Sequence, residues 1–546
     1  MSDLLSLGGK KWTLQNAEGE AGDVAAILRL RRSLHDASAT DDWSDPSVFP
    51  DAAKAAQRVQ DAIDRGETVG IFGDYDCDGV TSSAQLVRFF RRRGIEPVLR
   101  LPHRVTDGYG LKPQHIDEFR TAGVRLLITA DTGISAGEAV AKARDADIDV
   151  IILDHHHVSA VPDAYAILHP ALSPHFPDPH PSAAGVVFLF LHALEGEIWP
   201  DRETDLALAM FGTVADLVPL RGINRRLVQE GLRALHDLPD GPVRHLVESV
   251  GRGQPLTSVD VAFRIAPRIN AAGRMADPLL ALHALLDGGE PLKELERLNT
   301  ERQQETLRAT EHALELLTKD GRYDAAFLAV ADVSYQPGII GLIAGKLTER
   351  FGRPSMAVSI NGSECTASLR SPDCYNITAG LARTGHLLTS FGGHSQAAGA
   401  TFPLDRYMDI CDALEKDITA NVASDLLIPK LTIDAELAER DLTLRTVSML
   451  KDLEPYGQGN PEPTFLLRNM RLGNVRCVGN EGQHLQATVG ASKLIGFGKG
   501  EWHAHALQPL DLVCRLGLDH WNGVTRVQLH LVDMRIAETA DRLVKM

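Results

Sequence analysis

The sequence predicts an α/β protein: a parallel sheet, a long connecting helix, a second α/β block and a C-terminal β-barrel. Three observations carry that expectation. Between about residues 68 and 220, short apolar runs alternate with helix-length segments, the pattern of a parallel sheet with helices on both faces. The stretch "LKELERLNTERQQETLRATEHALELLT" (292–318) contains no Gly or Pro and is charged on most faces. From about residue 428, short alternating strands separated by turn residues take over, as in a small barrel or sandwich.

Taken in order, residues 1–66 read as polar and helical, with "DAAKAAQRVQDAIDRGE" a helix ahead of the first strand. "TVGIFG", "PVLRLP", "RLLITAD" and "DVIILD" read as buried strands, and "SSAQLVRFFRRRG" and "SAGEAVAKARDAD" as helices between them. Residues 221–290 are expected to be mostly helical, and the block from "AAFLAVAD" to "FGGHSQAAGATF" is the second α/β region. In the tail, "KLTIDAEL", "FLLRNMRLGNVRCVG", "LQATVGASKLIGFG" and "TRVQLHLVDMRI" supply the strands. The length of 546 residues calls for two to four domains.

Composition narrows the function classes. Hydrophobic residues make up 44% of the chain, as in an ordinary soluble protein. No apolar run reaches the roughly 18 residues of a membrane span, and "MSDLLSLGGKKW" has no signal-peptide pattern; the expected compartment is the cytoplasm. The six cysteines form no CxxC pair, which argues for reduced thiols and against a zinc ribbon. A net charge of −17 repels polyanions at long range. A nucleic-acid function therefore requires a local basic groove, divalent cations or both.

Four separated motifs concentrate carboxylates and imidazoles where strands should end. "GDYDCDG" places Asp74, Asp76 and Asp78 at every second position behind an apolar run. It resembles a calcium loop, but the twelfth position, counting Asp74 as the first, is Gln85, where an EF-hand needs glutamate. Aspartates two apart share one side of an extended chain, so Asp76 and Asp78 can each serve one ion of a pair. "LLITADTGIS" ends a second strand in Asp131, which alone could be a helix cap. "VIILDHHHVS" ends a third in Asp154, His155, His156 and His157, and "GTVADLVPL" buries Asp216 in an apolar stretch. In an open α/β sheet the ligand crevice lies at the carboxyl ends of the strands. Carboxylates and imidazoles without thiolates suit two hard-to-borderline cations about 3.5–4 Å apart, activating water for attack on phosphorus.

These four motifs, in this order, resemble the DHH phosphoesterase superfamily. Within it, "PHRVTDGYG", "RIAPRINAAGRM", "TASLRS", "FGGHSQAAGAT" and "EPYGQGNPEP" resemble the RecJ family of single-strand-specific exonucleases. The resemblance covers nearly the whole chain. It implies a DHH catalytic domain with a helical extension (1–285), a long connecting helix (286–322), a DHH-associated domain (323–425) and an OB-fold (426–546). No further C-terminal domain is expected after Met546.

Carried over onto this chain, the resemblance implies Asp76, Asp78, Asp131, His155 and Asp216 as ligands of two Mn²⁺ or Mg²⁺ ions. Relatives keep a histidine where this chain has Phe72, so Asp74 is a further candidate ligand at that ion. His156 is implied to meet the substrate phosphate, with Asp154 orienting it or His155. Arg104 and Arg274 are implied to hold the strand's phosphates, since an Arg fork binds phosphate bidentately. Ser368, Arg370, Gly392, Gly393 and His394 are implied to hold the 5′ end, the paired glycines letting backbone N–H groups approach an anion. Tyr456, Phe465 and Trp521 are candidates for stacking on bases in the OB-fold.

The activity so implied is metal-dependent 5′→3′ degradation of single-stranded DNA to 5′-mononucleotides in recombination and repair. The chain is expected to act as a monomer, in company with a single-strand-binding protein and a RecQ-type helicase. The competing reading keeps the chemistry and changes the substrate to short oligoribonucleotides or cyclic dinucleotides. A catalytically dead DNA-binding scaffold is the other class, disfavoured by the intact set of ligands.

Overall fold

The computed structural model describes residues 5–15, 28–29, 32, 45–104, 106–251, 255–521 and 523–537. The chain divides into two compact units. One comprises residues 32–305 with 454–461, and the other the described parts of 1–31, 306–453 and 462–546.

The first unit is built on a five-stranded sheet in the order Val98–Arg100, Thr68–Gly73, Val124–Ala130, Asp149–Leu153, Ala166–Leu168. Every pair in it is parallel. Alternation along the strands sends side chains to two cores. Ile71, Leu126, Ile128, Ile151 and Leu153 join one, while Phe72, Leu127, Val150 and Ile152 join the other. Helices including Cys77–Arg91, Ala183–Glu195 and Arg202–Ala215 cover the first face, and Pro113–Thr121 and Gly137–Asp145 the second. Each fully buried Ile, Leu or Val contributes about 1.5–3 kcal/mol, so the strand ends that carry the acidic motifs are held by a well-packed interior.

Two expectations shift here. The helix after the first strand starts at Cys77, five residues before the expected "SSAQLV", because Asp76 accepts hydrogen bonds from the amides of Asp78 and Gly79 and caps it. Ala166–Leu168 is a fifth strand outside the four expected. The helical extension follows as Gly222–Ala234, Pro242–Val250, Ala266–Met275 and Leu279–Leu286. The long helix is Gly289–Lys319 and passes from the first unit into the second.

The second unit holds a mixed five-stranded sheet in the order Ser390–Gly393, Ala397–Pro403, Glu364–Arg370, Ser355–Asn361, Leu328–Asp332. Only Leu328–Asp332 and Ser355–Asn361 run parallel. The C-terminal region forms a seven-stranded OB-type sheet, with Leu510–Trp521 and Val524–Ile536 paired over their length. Leu510–Trp521 lies outside the four segments read as strands.

Lys11–Leu14, in a stretch expected to be helical, is a strand paired in parallel with Lys430–Ile433. Trp12 fixes it there by donating its Nε1–H to the buried Asp533 at 2.9 Å. The rest of the expected N-terminal helix, residues 16–27 and 33–44, lies outside the described residues, whereas Ala52–Asp64 is a helix. Among the described residues no helix is long and apolar enough to cross a membrane.

Candidate metal centre

The three adjacent strands Thr68–Gly73, Val124–Ala130 and Asp149–Leu153 end at the same edge. The next residues bring Asp74, Asp131 and Asp154 side by side. Asp131 sits there in a left-handed backbone conformation, φ 63°, with its N–H bonded to Leu153 O at 2.9 Å. For a residue other than glycine this costs about 1–3 kcal/mol and is a mark of functional sites.

Asp78 arrives from the first turn of its helix and Asp216 from the end of Arg202–Ala215. The Asp78 carboxylate accepts the N–H groups of Ala183 (2.8 Å) and Ala184 (3.0 Å), at the start of a neighbouring helix. Gly212 makes room for it: a Cβ there would lie 2.4 Å from Asp78 Oδ1. That close approach accounts for the glycine in "GTVAD".

The side chains converge in overlapping groups whose ligand atoms lie within 4.8 Å of one another: Asp74 with Asp76 and Asp131, Asp78 with His155 and Asp216, and Asp131 with both histidines. His155 Nε2 lies 3.3 Å from Asp131 Oδ1, 3.6 Å from Asp216 Oδ2 and 3.8 Å from Asp78 Oδ2. Asp76 and Asp78 thus fall to different groups, but not as neighbours on an extended strand. The helix begins between them, and Asp76 is its cap while Asp78 is inside its first turn.

Electrostatics show what the cluster needs. Burial and the neighbouring carboxylates raise Asp74 and Asp131 well above the usual range. Burial together with Asp76 lifts Asp78 to about 7, and burial with Asp78 and Asp76 lifts Asp216 to about 8. Burial, helped by the charge of His156, drops His155 to about 3, so its imidazole is neutral. Asp74 Oδ1, Asp131 Oδ1 and His155 Nε2 are buried and make no hydrogen bond within the protein. Buried acceptors without donors are costly, and acidic oxygens with a neutral imidazole nitrogen are the donor set that borderline divalent cations take. The residues therefore fit two divalent ions.

His156 differs from His155. Its Nδ1 is 2.8 Å from Asp154 Oδ1, and Asp154 also accepts N–H groups from Ile134, His155 and His156. Burial opposes charge on the ring, but the hydrogen bond and charge of Asp154 prevail and lift His156 to about 9. Burial would raise Asp154, and the His156 partnership holds it at about 2 instead. The nitrogen that faces Asp131, at 3.7 Å, is the one bonded to Asp154. His156 is therefore better suited to donate toward a phosphate than to ligate an ion. Asp154 is its orienter.

Phe72, at the place of the relatives' histidine, points away from the edge. It is fully buried, with its ring centroid 5.0 Å from His115 and 6.5 Å from Phe119. Asp74 is left as the third carboxylate with Asp76 and Asp131.

Arg104 stacks its guanidinium 4.2 Å above the ring of Tyr75, inside the acidic motif, and Arg274 acts electrostatically on the same Tyr75. Sequence reasoning missed three further contributors. Tyr109 packs its half-exposed ring 5.3 Å from His156, with its hydroxyl 3.4 Å from Asp131 O. His169 donates Nε2–H to His156 O at 2.8 Å, and Asn270 accepts the Cys77 N–H at 2.9 Å. Tyr109 and Asn270 lie inside the motifs "DGYG" and "RINAAGRM"; His169 has no local sign.

In the second unit, Gly392 pairs with Gly399, and Gly399 pairs in turn with Ser368. Ser368 Oγ accepts from Arg370 Nη1 at 3.0 Å. Gly393, at φ 139°, turns the chain toward His394, whose N–H donates to Ala397 O at 2.8 Å. Ser368, Arg370, Gly392, Gly393 and His394 are thus gathered on one edge of the mixed sheet, with residues 390–396 exposed. The aromatic candidates fare differently. Phe465 is fully buried in the core, so it has no face to offer a base. Tyr456 belongs to the first unit rather than the β-rich region, and the Trp521 side chain lies outside the described residues.

Comparison with known proteins agrees with this architecture. Residues 68–213 match the DHH family N-terminal domain, 324–420 the DHHA1 domain and 433–533 the RecJ OB domain. The chain is 33% identical to the single-stranded-DNA-specific exonuclease RecJ of Bacillus subtilis, over 94% of this chain and 67% of that protein. It is 32% identical to RecJ of Thermus thermophilus, over 97% and 78%. Among solved structures, RecJ from Thermus thermophilus in complex with Mn²⁺ matches with a TM-score of 0.83 and 28% identity, covering 98% of this chain and 80% of that one. An exonuclease RecJ bound to manganese matches with a TM-score of 0.61 and 32% identity, over 69% and 98%.

Proposed function

The chain belongs to the RecJ family of the DHH phosphoesterases, and from that premise we propose that it is a divalent-metal-dependent exonuclease on single-stranded DNA. It removes 5′-mononucleotides from the 5′ end. The observation that carries the chemistry is the group of buried Asp74, Asp78 and Asp131 with half-buried Asp76, His155 and Asp216 at one sheet edge, with acceptor atoms on Asp74, Asp131 and His155 that no protein donor meets.

Mn²⁺ or Mg²⁺ bound by these residues supplies Lewis acidity for activating water and offsets charge on the phosphate. The chain supplies the rest. Asp131, within reach of two ligand groups, ties them together. His155 is kept neutral and its Nε2 open for coordination. His156, kept cationic by Asp154, is a hydrogen-bond donor for a phosphate oxygen. Arg104, set over Tyr75, and Arg274 add positive charge where the backbone must pass, which answers the net charge of −17 locally.

The division into 1–285, 286–322, 323–425 and 426–546 assigns catalysis to the first part and strand tracking to the last. Ser368, Arg370, Gly392, Gly393 and His394 receive the 5′ phosphate. The protein works in the cytoplasm as a monomer, on strands exposed by a RecQ-type helicase and coated by a single-strand-binding protein.

The test is a single-strand assay with label at either end and with 5′-phosphate or 5′-hydroxyl termini, run with Mn²⁺. Release beginning at the 5′ label, with duplex untouched, is the expected outcome. Release from the 3′ end would refute the polarity, and faster cleavage of dinucleotides than of long strands would move the substrate to short oligonucleotides.

A further inference from the structure

We propose that Asn270 is a positioning residue for the ion held by Asp74, Asp76 and Asp131, a role that rests on the metal-centre reading above. The acidic loop ends in a helix N-terminus, whose first N–H groups have no helical carbonyl to bond. Asp76 Oδ1 accepts two of them, from Asp78 at 3.0 Å and Gly79 at 3.2 Å. The third, on Cys77, sits between Asp76 and Asp78 and goes to Asn270 Oδ1 at 2.9 Å. Without that acceptor, the Cys77 N–H would compete for the carboxylate oxygens that a cation needs. An amide satisfies it without adding a further negative charge to a cluster already crowded with them.

The extension is shaped to deliver this side chain. Residues Ser258–Asp260, Val261–Ile265 and Ala266–Met275 form one helical run whose middle segment is a π-turn. Pro267 has no N–H to give the preceding turn. A π-turn adds one residue and rotates all that follows by about 100°. Asn270 and Gly273, three apart on one face, then lie against the acidic loop. Gly273 allows the closest approach, since a Cβ there would stand 2.5 Å from Tyr75 O. One turn of this helix thus grips Tyr75 and Cys77, on either side of Asp76, and the same helix carries Arg274 in its last turn.

The experiment measures Mn²⁺ binding to the metal-free full chain by calorimetry or electron paramagnetic resonance, without substrate. Asp216→Ala leaves the Asp74, Asp76 and Asp131 group, and Asp74→Ala leaves the Asp78, His155 and Asp216 group. In the Asp216→Ala background, Asn270→Ala is expected to weaken Mn²⁺ binding about 10- to 100-fold, the usual effect of losing an outer-sphere orienter. In the Asp74→Ala background it changes binding less than about twofold. Asn270→Ser, too short to reach, repeats the loss and carries the test if the alanine variant does not fold. Unchanged binding in the Asp216→Ala background, or equal losses in both backgrounds, would overturn the role of Asn270. Absence of Mn²⁺ binding by the unsubstituted chain would instead overturn the metal centre itself.

Discussion

The two sheet edges to which the proposed function gives roles in handling phosphate differ in how they hold charge. At the carboxyl edge of the parallel sheet, Asp74, Asp78 and Asp131 are buried and raised in pKa by burial and by neighbouring carboxylates, and Asp74 and Asp131 each keep an oxygen that no donor meets. At the glycine edge of the mixed sheet, residues 390–396 are exposed, and Ser368 and Arg370 bond to each other at 3.0 Å. The first edge relieves its crowding either by keeping protons on its raised carboxyls or by taking up cations that favour their ionised forms. The second is open to water, and the proposed 5′ phosphate would replace water there rather than relieve buried charge. Under the proposed function, chemistry falls to the edge that stores electrostatic strain and recognition to the edge that does not.

Breaking each edge should give effects of different size and kind. Asp131→Ala removes a carboxylate within reach of two ligand groups, and a loss in kcat on the order of 10³-fold or more is expected. Binding of single-stranded DNA in Ca²⁺, followed by fluorescence anisotropy, should hold. Unchanged Mn²⁺-dependent turnover in this variant would remove Asp131 from the centre. Arg370→Ala should instead act on recognition. Charge-assisted hydrogen bonds contribute about 1.5–3 kcal/mol, so a 10- to 100-fold loss in kcat/KM is expected on 5′-phosphorylated strands. It should be much smaller on 5′-hydroxyl strands, and equal losses on both would detach Arg370 from the 5′ end.

The two edges were also unequally legible in the sequence. Alternation of apolar strands with helices announced the parallel sheet, and the strands ending in Asp131 and Asp154 marked its active edge. What stayed hidden was set by tertiary contact. Helix capping by Asp76 moved the helix start to Cys77 and overrode the extended-chain argument for Asp76 and Asp78. Phe72 could be seen to replace a histidine, but only its packing against His115 and Phe119 shows that the ring belongs to the core. His169 and Asn270 act through contacts 13 and 193 residues away in sequence, which no local pattern encodes. Phe465 read as a possible base-stacker because an aromatic in a strand has the same sequence signature on either face.

A smaller effect sharpens the role of the Asp154–His156 pair. Asp154 meets the Ile134 amide with one carboxylate oxygen and the His155 amide with the other, so Asp154→Asn keeps an acceptor for only one of them and removes the charge that lifts His156 to about 9. If cationic His156 assists the reaction, activity in the unsubstituted chain persists toward pH 9. In the variant it should decline from a pH more than one unit lower, with roughly a 10-fold loss at pH 8. A profile that keeps its alkaline limb in Asp154→Asn would separate His156 from proton or hydrogen-bond donation.

The smallest effect concerns stability, and its sign follows from the raised carboxyls. Unfolded, Asp78 and Asp216 titrate near 3.9; folded and metal-free, they titrate at about 7 and about 8. Between those limits the folded state holds protons that the unfolded state has lost, so stability falls as pH rises. The contribution of these two should level off once pH passes about 8, while Asp74 and Asp131, also raised, and His156, at about 9, act in the same direction. A metal-free sample should therefore melt several degrees lower at pH 8 than at pH 6. With saturating Mg²⁺ that slope should flatten, because the cation binds only the ionised, folded cluster and stabilises it more as pH rises. The glycine edge has no comparable buried carboxyl set, so Arg370→Ala should leave both slopes in place. A metal-free melting temperature that rose from pH 6 to pH 8 would mean that the carboxylates are not repelling one another, and the contrast between the two edges would lose its physical basis.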